Sequence, residues 1–141
     1  MALELVPLCT LTATLRPPVF IPGTPTGTRI IAEVVSIEVT GDRLNGRMVG
    51  AVAADWLAVG PDPTIGTIDV RWTLETDDGA LALVQYGGRL DLSRTPPVAY
   101  VAPLFEIGDE RYAWLARAQC VAKGTFSEDL TSLTYEMYLL E

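Results

Sequence analysis

Histidine is absent from all 141 residues. The usual general base near neutral pH and the commonest metal ligand are absent with it. Ser-His-Asp and Cys-His catalysts are therefore excluded, and a zinc site built from two distant cysteines without histidine would be exceptional. No metal and no cofactor is expected, and any chemistry falls to Asp, Glu, Tyr, Lys, Arg, Cys or backbone groups. No phosphate-binding glycine loop or dinucleotide fingerprint occurs. Asp77-Asp78-Gly79 lacks the later ligands of a calcium loop and reads as a hairpin turn.

Positive charge is scarce, with 10 Lys and Arg against 18 Asp and Glu, a formal net charge of −8. Nucleic-acid affinity comes largely from Lys and Arg displacing counterions, so nucleic acid is not an expected partner. An anionic membrane surface is disfavoured for the same reason, and no apolar run approaches the roughly 20 residues of a spanning helix. Met1-Ala2-Leu3-Glu4-Leu5 puts an acid where a signal peptide carries basic residues, so a soluble, cytoplasmic protein is expected. Cys9 and Cys120 lie in apolar, strand-like runs. A bridge between them is conceivable, but reduced buried thiols fit that compartment better.

What the chain has in quantity is apolar residues, 49% of the total, enough for one buried core in one domain spanning 1–141. These residues alternate with polar ones at period two between turn residues, while helix periodicity is weak throughout. Strands are expected over 10–15, 29–39, 44–52, 67–75, 80–86, 98–105, 112–121 and 133–140. The clearest is Thr67–Glu75, with Ile68, Val70, Trp72 and Leu74 on one face and Asp69, Arg71 and Thr73 on the other. Pro17 to Gly27 reads as a long loop, and Gly46 and Gly50 as sites where a sheet coils to close. About eight antiparallel strands suit an all-β, single closed up-and-down barrel better than a sandwich.

Gly41-Asp42-Arg43-Leu44-Asn45-Gly46, Ala54-Asp55-Trp56, Arg71-Trp72-Thr73-Leu74, Thr76-Asp77-Asp78-Gly79-Ala80, Pro103-Leu104-Phe105-Glu106 and Arg111-Tyr112-Ala113-Trp114-Leu115 form a series covering nearly the whole chain. As a set it resembles the domain-of-unknown-function 3237 family. The resemblance implies a compact lipocalin-like, calycin-type antiparallel barrel and no particular activity. The family pattern often continues Trp-Leu-Asn, where this chain has Ala116.

Several residues are candidates for chemistry. A carboxyl held against an indole loses hydration and gains proton affinity, so Asp55 beside Trp56 is a candidate acid or base; the alternative is a strand-end aspartate serving backbone N–H groups. Arg71 between Val70 and Trp72 faces either the interior, where it would polarise a substrate carbonyl, or solvent. Glu106, Arg111 and Tyr112 flank the Gly108 turn, either as a proton-transfer site at one barrel end or as an ordinary Glu–Arg stitch. Trp56, Trp72, Trp114 and Tyr86 offer stacking surfaces, or simply core packing. The expected function is binding of one small oxygenated hydrophobic molecule, with catalysis of cyclisation, isomerisation or addition-elimination by Asp55, Arg71, Glu106 and Tyr112. The alternatives are a carrier or sensor without chemistry and a dimeric interaction module, and a homodimer is compatible with each.

Overall fold

The computed structural model describes residues 1–141. Its strands are β1 (Leu5–Leu15), β2 (Val19–Thr24), β3 (Gly27–Thr40), β4 (Gly46–Met48), β5 (Ala54–Val59), β6 (Ile65–Thr76), β7 (Leu81–Asp91), β8 (Val98–Val101), β9 (Leu104–Ile107), β10 (Cys120–Phe126) and β11 (Ser132–Leu140). A single 3-10 turn at Glu110–Tyr112 leads into a four-residue helix, α1 (Ala113–Ala116), between β9 and β10.

β4 and β5 share one place between β3 and β6, and β8 and β9 share one place along β7. The wall then passes from β1 through β3, β4/β5, β6, β7, β8/β9, β10 and β11 and back to β1, with every pair antiparallel. Eight staves in sequence order make a closed up-and-down barrel, which leaves no long sheet edge in the ring. β2 stands outside the ring, paired along the first half of β3, where it continues the line of β1.

Period-two alternation decides which side chains face inward. On β6, Ile68, Val70, Trp72 and Leu74 are buried while Thr67, Asp69 and Arg71 are exposed. β6 and β7 keep an unbroken register from Ile65 opposite Asp91 to Glu75 opposite Leu81, turned by Asp77-Asp78-Gly79 with Gly79 at φ 92°. That conformation is easy only for a residue without Cβ. The interior is filled unevenly. The end near this turn is solid, with Leu11, Ile37, Leu44, Leu74 and Leu115 almost completely buried.

Three expectations differ from the structure. Of residues 112–121 only Cys120 and Val121 are in a strand, the start of β10, because Asp109 caps the 3-10 turn by accepting from the Arg111 N–H at 3.0 Å and Leu115 is drawn into the barrel end as a plug. The strand expected over 44–52 is only Gly46–Met48, and a further strand, β5, carries Asp55 and Trp56. The expected loop after Pro18 contains β2, whose Val19, Phe20 and Ile21 are exposed.

Candidate functional site

The other end of the barrel is hollow. A cavity of about 200 Å³ opens between the β1–β2, β7–β8 and β10–β11 connections, with mostly apolar walls that include Val34, Leu57, Val70 and Leu90. Its polar side chains are few: Arg16 just past β1, and Asp55 on β5, Tyr86 on β7 and Tyr135 on β11 from three different staves. A larger concavity of about 820 Å³ lies on the outer wall over β7, β8, β10 and β11. It gathers no buried acid or phenol, so the interior cavity is the better candidate for chemistry.

Asp55 faces inward with Leu57 and Val59 because the three are spaced by two on β5. The β5–β6 ladder runs from Ala54 opposite Arg71 to Asp55 opposite Val70 and resumes at Ala58 opposite Thr67. In that gap the Asp69 backbone N–H donates to Asp55 Oδ1 at 3.0 Å. The second carboxyl oxygen makes no hydrogen bond within the protein. Burial pushes the Asp55 carboxyl up to about 7, and the neighbouring Asp69 charge adds to this against the opposing effects of the Asp69 N–H and Arg29. A carboxyl poised there accepts or gives a proton near neutral pH.

Tyr135 owes its place to a glycine. It pairs with Gly124 across the β10–β11 ladder, and a Cβ on Gly124 would lie 2.6 Å from the Tyr135 ring. The ring packs edge-on against Tyr86, with centroids 5.7 Å apart and planes at 70°. Burial raises both phenols above their ordinary range, and the Asp55 charge raises them further, as expected of three groups sharing one apolar chamber. Neither hydroxyl has a hydrogen-bond partner in the protein. One inward step along β6 from Val70 lies Trp72, whose buried indole N–H is near the Tyr86 oxygen but meets no acceptor in hydrogen-bond geometry.

The other sequence candidates sit elsewhere. Arg71 faces outward from β6 and Glu106 outward from β9, both exposed, so neither enters the cavity. Strand alternation decides this, since Val70 and Phe105 take the inward places. Trp56 also faces outward, and its carbonyl accepts from Arg29 at 2.8 Å. Tyr112, Arg111 and Trp114 are at the closed end, beside Thr76, six residues along β6 from Val70 and so about 20 Å away at ~3.3 Å per residue. There the Tyr112 hydroxyl donates to Asp78 at 2.8 Å, Arg111 pairs with Asp109 at 2.8 Å and Asp78 at 3.4 Å, and Arg43 stacks 3.7 Å over Trp114. The expected Glu106–Arg111 partnership is replaced by this clamp, which pins the plug to the β6–β7 turn. Asp55, Arg71, Glu106 and Tyr112 thus do not converge, whereas Asp55 and Tyr86 meet at the cavity together with Tyr135.

Cys9 and Cys120 are buried free thiols. Burial pushes them up to about 12 and about 11, so neither offers a thiolate for nucleophilic work. No group of three Cys, Asp or Glu side chains is placed to hold a metal ion, and no helix is long and apolar enough to cross a membrane.

The geometry finds parallels among solved structures. A β-barrel-like protein from Acinetobacter baumannii is 25% identical with a TM-score of 0.88, covering 100% of this chain and 98% of that one. A protein from Rhodopseudomonas palustris is 21% identical with a TM-score of 0.89, covering 100% and 99%. An enzyme from Penicillium herquei is 22% identical with a TM-score of 0.69, covering 99% and 94%. No curated protein matches the chain. The family model described as "Protein of unknown function (DUF3237)" matches residues 3–140, and the chain belongs to that family.

Proposed function

We propose that this protein is a cofactor-independent enzyme that binds one small, oxygenated, largely hydrophobic molecule inside the barrel and moves a proton within it, promoting cyclisation, isomerisation or addition-elimination. The observation that carries this reading is the Asp55 carboxyl, held up at about 7 and facing an apolar cavity beside two unpartnered phenols. Asp55 as carboxylate takes a proton from an acidic O–H or C–H of the substrate. The Tyr86 and Tyr135 hydroxyls donate to the carbonyl oxygen on which negative charge builds. That is the role expected of Arg71 from sequence. The proton held by Asp55 then returns to another atom of the same molecule, so an isomeric or cyclised product forms with no further reagent. Walls that hold a flexible substrate in a reactive conformer contribute the rest of the acceleration. The Penicillium herquei protein, similar in fold, is an enzyme, which supports the reading at the level of architecture.

The test is a thermal-shift screen against oxygenated aromatics, lactones and polyketide-like acids, with the best stabilisers then followed for turnover by wild type and Asp55→Asn. Asn keeps the acceptor for the Asp69 N–H, so ligand stabilisation should persist while turnover falls roughly 100-fold or more. Turnover should also rise with pH and level off above about 7, where Asp55 is ionised. Stabilisation without turnover in wild type would identify a carrier. Equal turnover in both proteins, or no stabilising compound at all, would overturn the assignment.

A further inference from the structure

The β10–β11 turn at the cavity mouth carries a conformation with a cost. Leu130 has φ 62° and is the one non-glycine residue with positive φ. A side chain there crowds the backbone, and glycine is the residue that adopts it freely. The turn is held firmly. Asp129 accepts from the Thr131 N–H at 3.1 Å, the Thr131 hydroxyl at 2.7 Å and the Ser127 hydroxyl at 2.8 Å, and the Leu130 N–H donates to the Ser127 carbonyl at 3.0 Å. The result is an apolar side chain, 51% exposed, lining the cavity at its opening. Its neighbour on the rim is Arg16, which also lines the cavity; the Leu15 N–H donates to the Thr131 carbonyl at 2.8 Å and so brings the ends of β1 and β11 together beside the two residues. The Arg16 guanidinium has only a loose partner, Glu33 at 3.6 Å, with both side chains more than 60% exposed. Such a pair is held weakly and yields to a better anion.

We propose that Leu130 and Arg16 form the specificity rim of the cavity, selecting a single-ring acid that enters ring first. Leu130 covers the ring and Arg16 pairs with a carboxylate, or an equally acidic group, left at the mouth. The inference rests on the interior cavity being the ligand site. The size agrees, since an apolar protein cavity of ~150 Å³ accommodates benzene and this one is about 200 Å³. A substituted ring fills it and leaves a polar substituent at the opening.

The probes are 4-hydroxybenzoate and 4-hydroxybenzamide, matched in shape and different in charge, titrated by calorimetry and by the tryptophan fluorescence of the intact protein. Wild type should bind the benzoate about tenfold or more tightly than the amide, as a charge-assisted hydrogen bond at a partly desolvated rim implies. Arg16→Gln should abolish that preference by weakening benzoate binding about tenfold more than amide binding. Leu130→Gly should weaken both probes by roughly tenfold through lost apolar contact, with the melting temperature unchanged or raised because the positive φ is relieved. Equal binding of the two probes by wild type, a preference that survives Arg16→Gln, or undiminished binding by Leu130→Gly would overturn the rim while leaving the cavity as a site. No binding of either probe at millimolar concentration would overturn the rim and the cavity reading together.

Discussion

A buried acid is a liability to the fold, and at Asp55 its size is readable. The carboxyl stands at about 7 in the folded chain, against roughly 3.9 in an unfolded one. The folded state therefore favours the protonated form. Its stability is unaffected below pH about 4, declines as ionisation is forced between about 4 and 7, and carries the full penalty above 7. A difference of about three in pKa corresponds to roughly 4 kcal/mol at most. Asp55→Asn should accordingly melt higher than wild type at pH 8 and no higher at pH 4; equal gains at both values would show that the carboxyl is not desolvated. Tyr135 offers the complementary case. Its hydroxyl has no partner to lose, so Tyr135→Phe should change stability by no more than about 0.5 kcal/mol. The same change should lower turnover at least tenfold if the phenol serves the substrate oxygen.

Between neighbouring strands, the instructive pair is Gly124 and Tyr135. A glycine inside a strand reads from sequence as a turn or a bulge, and here it is an empty place into which the facing ring lies. Gly124→Ala should push the Tyr135 ring out of the cavity wall. The expected outcome is a loss of about 1–3 kcal/mol in chemical denaturation, typical of overpacking, with loss of ligand binding greater than that of stability alone. Circular dichroism of the tyrosine band checks the ring movement. The helical plug shows why 112–121 misreads as a strand. Ala116, Ala118 and Cys120 alternate with Arg117 and Gln119 at period two, but Asp109 satisfies the Arg111 N–H and Asp78 collects Thr76, Tyr112 and Arg111. The Tyr112 and Arg111 contacts to Asp78 join segments distant in sequence, and no local pattern contains them.

For the molecule as a whole, closure of the ring and net charge set the terms. A formal charge of −8, with 10 Lys and Arg against 18 Asp and Glu, opposes the counterion release on which polyphosphate binding depends. We expect no shift of a duplex or single-stranded DNA probe even at ~50 mM salt, where electrostatic binding is at its strongest. Retention of DNA that disappears at higher salt would contradict this. Ligand binding inside a closed barrel acts on all staves together. A ligand at about 100 times its Kd should therefore stabilise the whole fold by about 2.7 kcal/mol, and the unfolding transition should remain single.

The sequence determined what depends on neighbours along the chain. Alternation at period two carried the strands and the division of their faces, with Val70 and Trp72 on one and Arg71 on the other; that Arg71 takes the outer one is seen only in the closed barrel. Turn residues carried the hairpins, the missing histidine removed whole classes of catalyst, and the family motifs together implied the barrel. Of the candidate site, Asp55, Tyr86 and Trp72 were legible as an acid and aromatics in strands; Tyr135 was not singled out because nothing near it in sequence distinguishes a wall residue from a core one. Tertiary structure alone decided that β5, β7 and β11 bring Asp55, Tyr86 and Tyr135 around one hollow, while Glu106 and Tyr112 end outside it and at the far end. The physical reason is that strand period fixes the face a side chain takes, whereas ring closure and register fix the depth at which it stands and the groups it meets there.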